Sequence, residues 1–124
     1  IASPKGYEPL DEVVSQIQSE LVTLCENPTD AVTNADMVVT DVWSSMGQEQ
    51  QQKQREAAFK NYQVNGPLMA AAKPDALFMH CLPAHRGEEV SADVIDGEQS
   101  VVWDEAENRL HSQKALLEFL LCSK

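Results

Sequence analysis

Hydrophobic positions along the chain form short continuous runs that alternate with helically spaced ones. Two compact runs, Met37–Val42 and Ala76–Cys81, have the length of buried strands in a parallel sheet. Weaker strand patterns occur at Ile1–Ser3, Leu21–Cys25 and Ser100–Trp103. The pattern therefore predicts a sheet of short, mostly buried strands.

Helical patterns lie between these strands. Apolar residues recur at helical spacing from Leu10 to Leu21, and Asp104 and Glu107 have capping-box spacing before a long leucine-rich C-terminal helix. Shorter helices are predicted for four segments: Asn27–Ala35, Gln48–Phe59, Asn65–Ala72 and Ser91–Ile95. Alternating strands and helices predict an α/β, Rossmann-like parallel sheet with helices on both faces.

Composition narrows the class of protein. The 124 residues, 43% of them apolar, suit one domain with one core. The net charge of −11, with only nine Lys and Arg residues, argues against nucleic-acid binding. No apolar run reaches membrane-spanning length. The first residues show neither an initiator Met nor a signal-peptide pattern, so we expect the natural chain to start earlier.

Two loops carry the candidate chemistry, because ligands of parallel sheets sit at the carboxyl ends of strands. Asp41 opens the first loop, where its carboxylate either binds an amine or caps the following turn. Cys81 opens the second loop. It is either a functional thiol whose reactivity is set by its electrostatic surroundings or a buried apolar side chain. Arg109 is either a surface charge near Glu105 and Glu107 or a cleft residue that holds an anion.

Metal and cofactor signatures are weak. His80 and Cys81 are neighbours on a predicted strand and should point to opposite faces, so a zinc site with His85 is not expected. No Gly-rich phosphate loop is present, and we predict no metal and no cofactor. The remaining thiols, Cys25 and Cys122, are interpreted as small buried side chains in a reducing compartment.

Three separated segments, in order, resemble the ornithine carbamoyltransferase family. The segment Asp41–Gln48 resembles the family's loop that closes over ornithine. The segment Phe78–Gly87 resembles its H-C-L-P segment in the ornithine-specific form, and Glu105–Arg109 resembles its terminal-helix signature. Residues Ser3–Pro9 are also similar to a stretch of that domain, so the resemblance covers essentially the whole chain.

The resemblance implies roles for the ornithine side of a site. Asp41 would bind ornithine amino groups, and Ser45 and Met46 would hold its amino-acid end. Cys81 would help to place the side-chain amine and would be the catalytic residue.

The same resemblance implies a carbamoyl phosphate side. Cys81 and Leu82 would line that site, and Arg109 would reach the phosphate compound. The implied reaction is attack of the neutral amine on the carbamoyl carbon, with loss of phosphate to give citrulline, in arginine biosynthesis or the urea cycle.

Parts of the family pattern are missing. Residues 1–124 would be a partial ornithine-binding domain, without the N-terminal carbamoyl phosphate-binding domain and without the central strand of the sheet. We therefore expect the 124 residues alone to be inactive. The family implies a homotrimer, and a cytoplasmic location or, in a eukaryote, a mitochondrial or plastid matrix.

Two alternatives stay open at this level. The carbamoyl acceptor is putrescine or N-acetylornithine instead of ornithine, or the chain is a non-catalytic Rossmann-like binding module. A substrate panel separates the first alternative, and a phosphate loop upstream of Ile1 would argue against the second.

Overall fold

A computed structural model describes residues 1–17, 19–44 and 49–122. Its elements in chain order are α1 Asp11–Val14, α2 Pro28–Val32, β1 Met37–Thr40, α3 Glu49–Phe59, α4 Gly66–Met69, β2 Leu77–His80, α5 Ala92–Ile95 and α6 Val102–Cys122. Single 3-10 turns occupy Ser19–Leu21 and Lys60–Tyr62. Within the described ranges, no helix combines the length and the apolar character needed to cross a membrane.

The sheet is parallel, which confirms the predicted α/β class. β1 and β2 pair in register from Met37 opposite Leu77 to Thr40 opposite His80. Ser100 extends the sheet by a single parallel bridge to Phe78. Parallel neighbours place their carboxyl ends at one edge, so the loops after β1 and β2 start side by side.

A second parallel pairing lies apart from this sheet. Ala2 bridges Cys25, with Cys25 N–H donating to the Ile1 carbonyl at 3.0 Å. Ile1 and Ala2 face β1 across a cavity of about 520 Å³, which both segments line.

The core lies on one face of the sheet, between β2, α4, α5 and the start of α6. Its most enclosed apolar side chains have no exposed area: Ala76, Phe78, Val90 and Val102. The N-caps of α2 and α4 fix two of the covering helices, because the Asn27 side chain accepts from Thr29 N–H and the Asn65 side chain accepts from Leu68 N–H.

Several predicted elements are shorter than the sequence indicates. The first helix ends at Val14 and gives way to i→i+3 turns, because Leu10 and Ile17 remain exposed and no buried face stabilises it. The predicted strand Leu21–Cys25 is reduced to the bridge at Cys25.

The boundary between the last strand and the last helix was also predicted wrongly. The strand Ser100–Trp103 is reduced to its first residue, because α6 starts at Val102 and Glu105 N–H donates to the Val101 carbonyl at 2.9 Å. Asp104 is therefore inside the first turn, and the capping-box prediction is wrong. Its carboxylate still suits a helix N-terminus.

The prediction of fully buried strands is wrong for one face. Met37 and Val39 of β1 are 50% and 60% exposed, because no described element covers that face of the strand. The leucines of α6 are exposed from Leu110 onward. The buried-thiol interpretation also fails: Cys25 is half-buried and Cys122 is exposed, and both are free.

Candidate functional site

Asp41 and Cys81 meet at the carboxyl edge of the sheet. Thr40 lies opposite His80 in the ladder, so the next residue of each strand follows at the same level. Cys81 Sγ donates a hydrogen bond to Asp41 Oδ1 at 3.2 Å, and the same oxygen accepts from Val42 N–H at 2.7 Å. Asp41 therefore caps its own turn and contacts the thiol, so its two interpretations are compatible.

The surroundings of Cys81 favour the thiol over the thiolate. Loss of water around the sulfur, then the hydrogen bond to Asp41 and that carboxylate's negative charge, raise the pKa of Cys81. The Glu105 carboxylate adds to the increase. Cys81 is exposed as a residue, so the protonated sulfur remains accessible to a ligand.

His80 and Glu89 form a fully buried pair behind this thiol. Both side chains have no exposed area, and His80 Nε2 lies 3.1 Å from Glu89 Oε1. His80 Nδ1 accepts from Leu82 N–H at 2.9 Å and so carries no proton. The contacts therefore assign the Nε2–H tautomer, which donates to Glu89 and leaves the imidazole neutral.

This pair shapes the loop that follows Cys81. Leu82 has φ of 53°, a left-handed conformation that costs a non-glycine residue roughly 1 to 2 kcal/mol. The bond to His80 Nδ1 compensates for part of that strain. Glu89 Oε1 also accepts from His85 N–H at 2.6 Å, so one buried carboxylate holds both ends of the loop.

Glu89 is the functional residue that sequence reasoning missed. It lies nine residues after His80, outside any periodic pattern, and its burial depends on the fold of the loop. Its second oxygen, Oε2, is buried without a hydrogen bond and lies 3.8 Å from Nδ1 of the half-exposed His85.

The start of α6 contacts the same strand end. The Glu105 carboxylate accepts from His80 N–H at 3.0 Å, so the terminal-helix motif lies against β2. Arg109 is exposed one turn further along α6. The structure thus places Arg109 on the element that adjoins the site, and its phosphate role stays a prediction.

The first loop is anchored by Arg55 of α3. Arg55 Nη1 donates to the Trp43 carbonyl at 3.2 Å, and its guanidinium lies 5.3 Å from the centre of the Tyr7 ring. Trp43 stacks on Phe59 with 6.2 Å between ring centres. Ser45 and Met46, predicted to hold the amino-acid end of ornithine, lie outside the described residues.

Three potential metal ligands lie close together at this strand end, but the histidine among them has no ring nitrogen free to bind a metal ion. Potential ligand atoms of Asp41, His80 and Cys81 lie within 4.8 Å of one another, although His80 and Cys81 are sequence neighbours at the end of a strand. Both ring nitrogens of His80 are already bonded, to Leu82 N–H and to Glu89. We assign no metal to this group.

Comparison with known proteins identifies the family of the chain. The model of the family "Aspartate/ornithine carbamoyltransferase, Asp/Orn binding domain" matches residues 1–120. An ornithine carbamoyltransferase of Hydrogenovibrio crunogenus is 64% identical over 121 residues, which are 98% of this chain and 40% of that protein.

Solved structures give the same result. The ornithine carbamoyltransferase of Pyrococcus furiosus superposes with a TM-score of 0.88 at 51% identity, over 99% of this chain and 41% of that one. The anabolic enzyme of Campylobacter jejuni gives a TM-score of 0.89 at 34% identity, over 100% of this chain and 43% of that one.

The site and these matches define a domain of the carbamoyltransferase class. The chain belongs to the aspartate/ornithine carbamoyltransferase family, in its Asp/Orn binding domain. It spans about 40% of the length of the curated relatives that it matches.

Proposed function

We propose that this chain is the ornithine-binding part of an enzyme that transfers the carbamoyl group of carbamoyl phosphate to the side-chain amine of L-ornithine. The observation that carries the proposal is the 3.2 Å contact between Cys81 and Asp41 at two adjacent strand ends. It brings an anionic group and a thiol together on the exposed edge of the sheet, where an amine substrate can reach both.

Asp41 is the proposed partner of the ornithine amine. Its carboxylate is exposed and supplies the negative charge that attracts an ammonium group. Ser45 and Met46 are proposed to hold the amino-acid end. The net charge of −11 also favours the approach of a cation.

Cys81 is the proposed catalytic residue. The raised pKa keeps Sγ protonated, so Cys81 acts first as a neutral hydrogen-bonding group that places the amine. The side-chain ammonium first gives one proton to solvent, and the lone pair of the neutral amine forms the bond to the carbamoyl carbon. The bond from that carbon to the phosphate oxygen then breaks, and the leaving phosphate takes up the second proton from the attacking nitrogen. Proximity and cationic groups on the developing oxyanion supply the acceleration.

The carbamoyl phosphate side is proposed to include Leu82 and Arg109. The backbone of Leu82 is held in one conformation by His80, which suits a site that must fix a small ligand. Further phosphate ligands are proposed to come from an N-terminal domain. We also propose a homotrimer that works in arginine biosynthesis in the cytoplasm, or in an organelle matrix in a eukaryote.

A full-length chimera tests the reaction. It joins residues 1–124 to the remaining length of the Hydrogenovibrio crunogenus relative, and citrulline is measured with ornithine, putrescine and N-acetylornithine as acceptors. We expect citrulline from ornithine with the chimera and none with the 124 residues alone. Faster transfer to another acceptor, or no transfer at all, would overturn the proposal.

Two variants test the site with matched controls. In the chimera, Asp41→Asn should lower kcat/KM for ornithine about 10- to 100-fold, which corresponds to the loss of a charge-assisted hydrogen bond. Cys81→Ser should lower kcat. Asp75→Asn and Cys122→Ser change exposed residues of the same types and should leave both constants unchanged.

A further inference from the structure

Gln63 connects the segment after α3 to the loop that follows Cys81. Its Nε2 donates to the Gly87 carbonyl at 2.8 Å and to the Glu88 carbonyl at 2.8 Å. The side chain is half-buried. The proposed reaction does not use this amide, so its two bonds need another explanation.

Backbone bonds beside Gln63 align it with that loop. Val64 N–H donates to the Glu89 carbonyl at 2.9 Å, and Ser91 N–H donates to the Val64 carbonyl at 2.9 Å. These bonds fix the loop beyond Glu89, whereas Gln63 fixes the two residues before it. Together they determine where the Glu89 side chain enters the core.

The loop requires a donor with two hydrogens at this point. Gly87 has φ of 93°, so the chain turns there and the carbonyls of Gly87 and Glu88 accept from one nitrogen. An amide NH₂ offers two hydrogens in one plane, which a hydroxyl or a single N–H does not. Without it, the exposed Gly87 carbonyl turns to water and the half-buried Glu88 carbonyl loses this partner.

Loss of the Gln63 hydrogen bonds would affect Cys81 through Glu89. The Glu89 carboxylate accepts from His85 N–H and from His80 Nε2, and His80 holds Leu82 N–H directly after Cys81. A shift at Gly87 and Glu88 therefore moves the carboxylate that orders the thiol's own loop.

We propose that Gln63 is a positioning residue that sets the geometry of the Cys81 loop for the reaction. The consequence for catalysis rests on the proposed function, but the consequence for loop geometry does not. The amide of Gln63 is engaged by two backbone carbonyls and is given no substrate contact in the proposed reaction, so its removal should change kcat and the environment of Cys81 more than the KM for ornithine.

Three variants of the full-length chimera separate hydrogen-bond donation by residue 63 from the packing of its side chain. Gln63→Met keeps the length and removes both donors without adding charge. Gln63→Lys keeps a nitrogen with several hydrogens at a similar reach. Gln54→Met is the matched control, because Gln54 is an exposed glutamine of α3. Thermal melting shows that each variant is folded before it is compared.

The first readout is alkylation of Cys81 by iodoacetamide, measured by peptide mass spectrometry relative to Cys122 in the same protein. We expect Gln63→Met to change the Cys81 rate at least about threefold, with Gln63→Lys and Gln54→Met near the parent. The second readout is citrulline formation, where kcat of Gln63→Met should fall about tenfold and Gln63→Lys should retain most of it.

The outcomes distinguish the two proposals. An unchanged Cys81 rate in folded Gln63→Met overturns the positioning role, as does a Gln63→Lys variant that behaves like Gln63→Met. If the parent chimera forms no citrulline, the proposed function fails. The alkylation contrast still decides whether Gln63 positions the loop.

Discussion

The two faces of the sheet bury similar residues very differently. On the closed side, Phe78 and His80 of β2 are fully buried, with the start of α6 packed against the strand. On the open side, Met37 and Val39 of β1 are 50% and 60% exposed. An apolar residue in this chain therefore stabilises the fold only where another described element packs on it.

The candidate site lies on the border between these sides. His80 and Glu89 are buried on the closed side, while Cys81 and Asp41 emerge at the exposed edge. This arrangement combines a rigid support with accessible reacting groups. The exposed apolar side chains of β1 and of α6 are of the kind that contact other protein surfaces.

The largest expected loss of stability comes from truncating a core side chain on the closed side. Phe78→Ala in the 124-residue chain should reduce the free energy of unfolding by roughly 4 kcal/mol, because it removes a fully buried ring and leaves a cavity. Leu117→Ala, on the exposed part of α6, should change it by less than about 0.5 kcal/mol. Urea titration measures both, and equal losses would refute the contrast between covered and uncovered apolar positions.

The next largest loss of stability is expected on removal of the buried Glu89 carboxylate. Glu89→Ala should cost roughly 3 kcal/mol, because His80 Nε2–H and His85 N–H lose their acceptor inside the protein. The neighbouring Glu88→Ala is the control and should cost less than about 1 kcal/mol. If thermal or urea unfolding gives the two variants the same stability, the Glu89 network does not support the loop.

A smaller effect is expected at the edge of the sheet. Asp41→Asn removes the negative charge beside Cys81, so the pKa of that thiol should fall and its thiolate fraction at pH 8 should rise. Iodoacetamide should then alkylate Cys81 several-fold faster than in the parent, with the pH midpoint of the rate moved to lower pH. Asp75→Asn should not change the rate, and an unchanged midpoint in Asp41→Asn would contradict the assigned contact.

The smallest effect concerns the surface pair of Arg86 and Asp96. Two hydrogen bonds from the Arg86 guanidinium, at 2.9 and 2.7 Å, hold the pKa of Asp96 below its ordinary value of 3.8. A depressed carboxyl pKa stabilises the fold above that ordinary value, and the contribution is lost as pH falls through the folded pKa. Asp96→Asn should therefore lower the melting temperature slightly at pH 7 and not at pH 2. A decrease that persists at pH 2 or in high salt would exclude this origin.

The strands β1 and β2 and the helix α3 could be predicted from sequence because their patterns are local. Two further predicted strands failed for a tertiary reason: within the described residues, Leu21–Cys25 and Ser100–Trp103 each form a single bridge, to Ala2 and to Phe78. The capping prediction at Asp104 failed because a backbone bond at Val101 starts the helix earlier. The substrate-binding and catalytic roles remain predictions for all six residues: Asp41, Ser45, Met46, Cys81, Leu82 and Arg109.

By itself, the sequence determined the α/β class, the family and the two loops that carry Asp41 and Cys81, because short apolar runs and motif order are properties of neighbouring residues. Only the tertiary structure decided that the two side chains touch, that Cys81 is held as a thiol, and that Glu89 and Gln63 shape its loop. These contacts join residues between 4 and 40 positions apart, and their strength depends on burial that the fold alone provides.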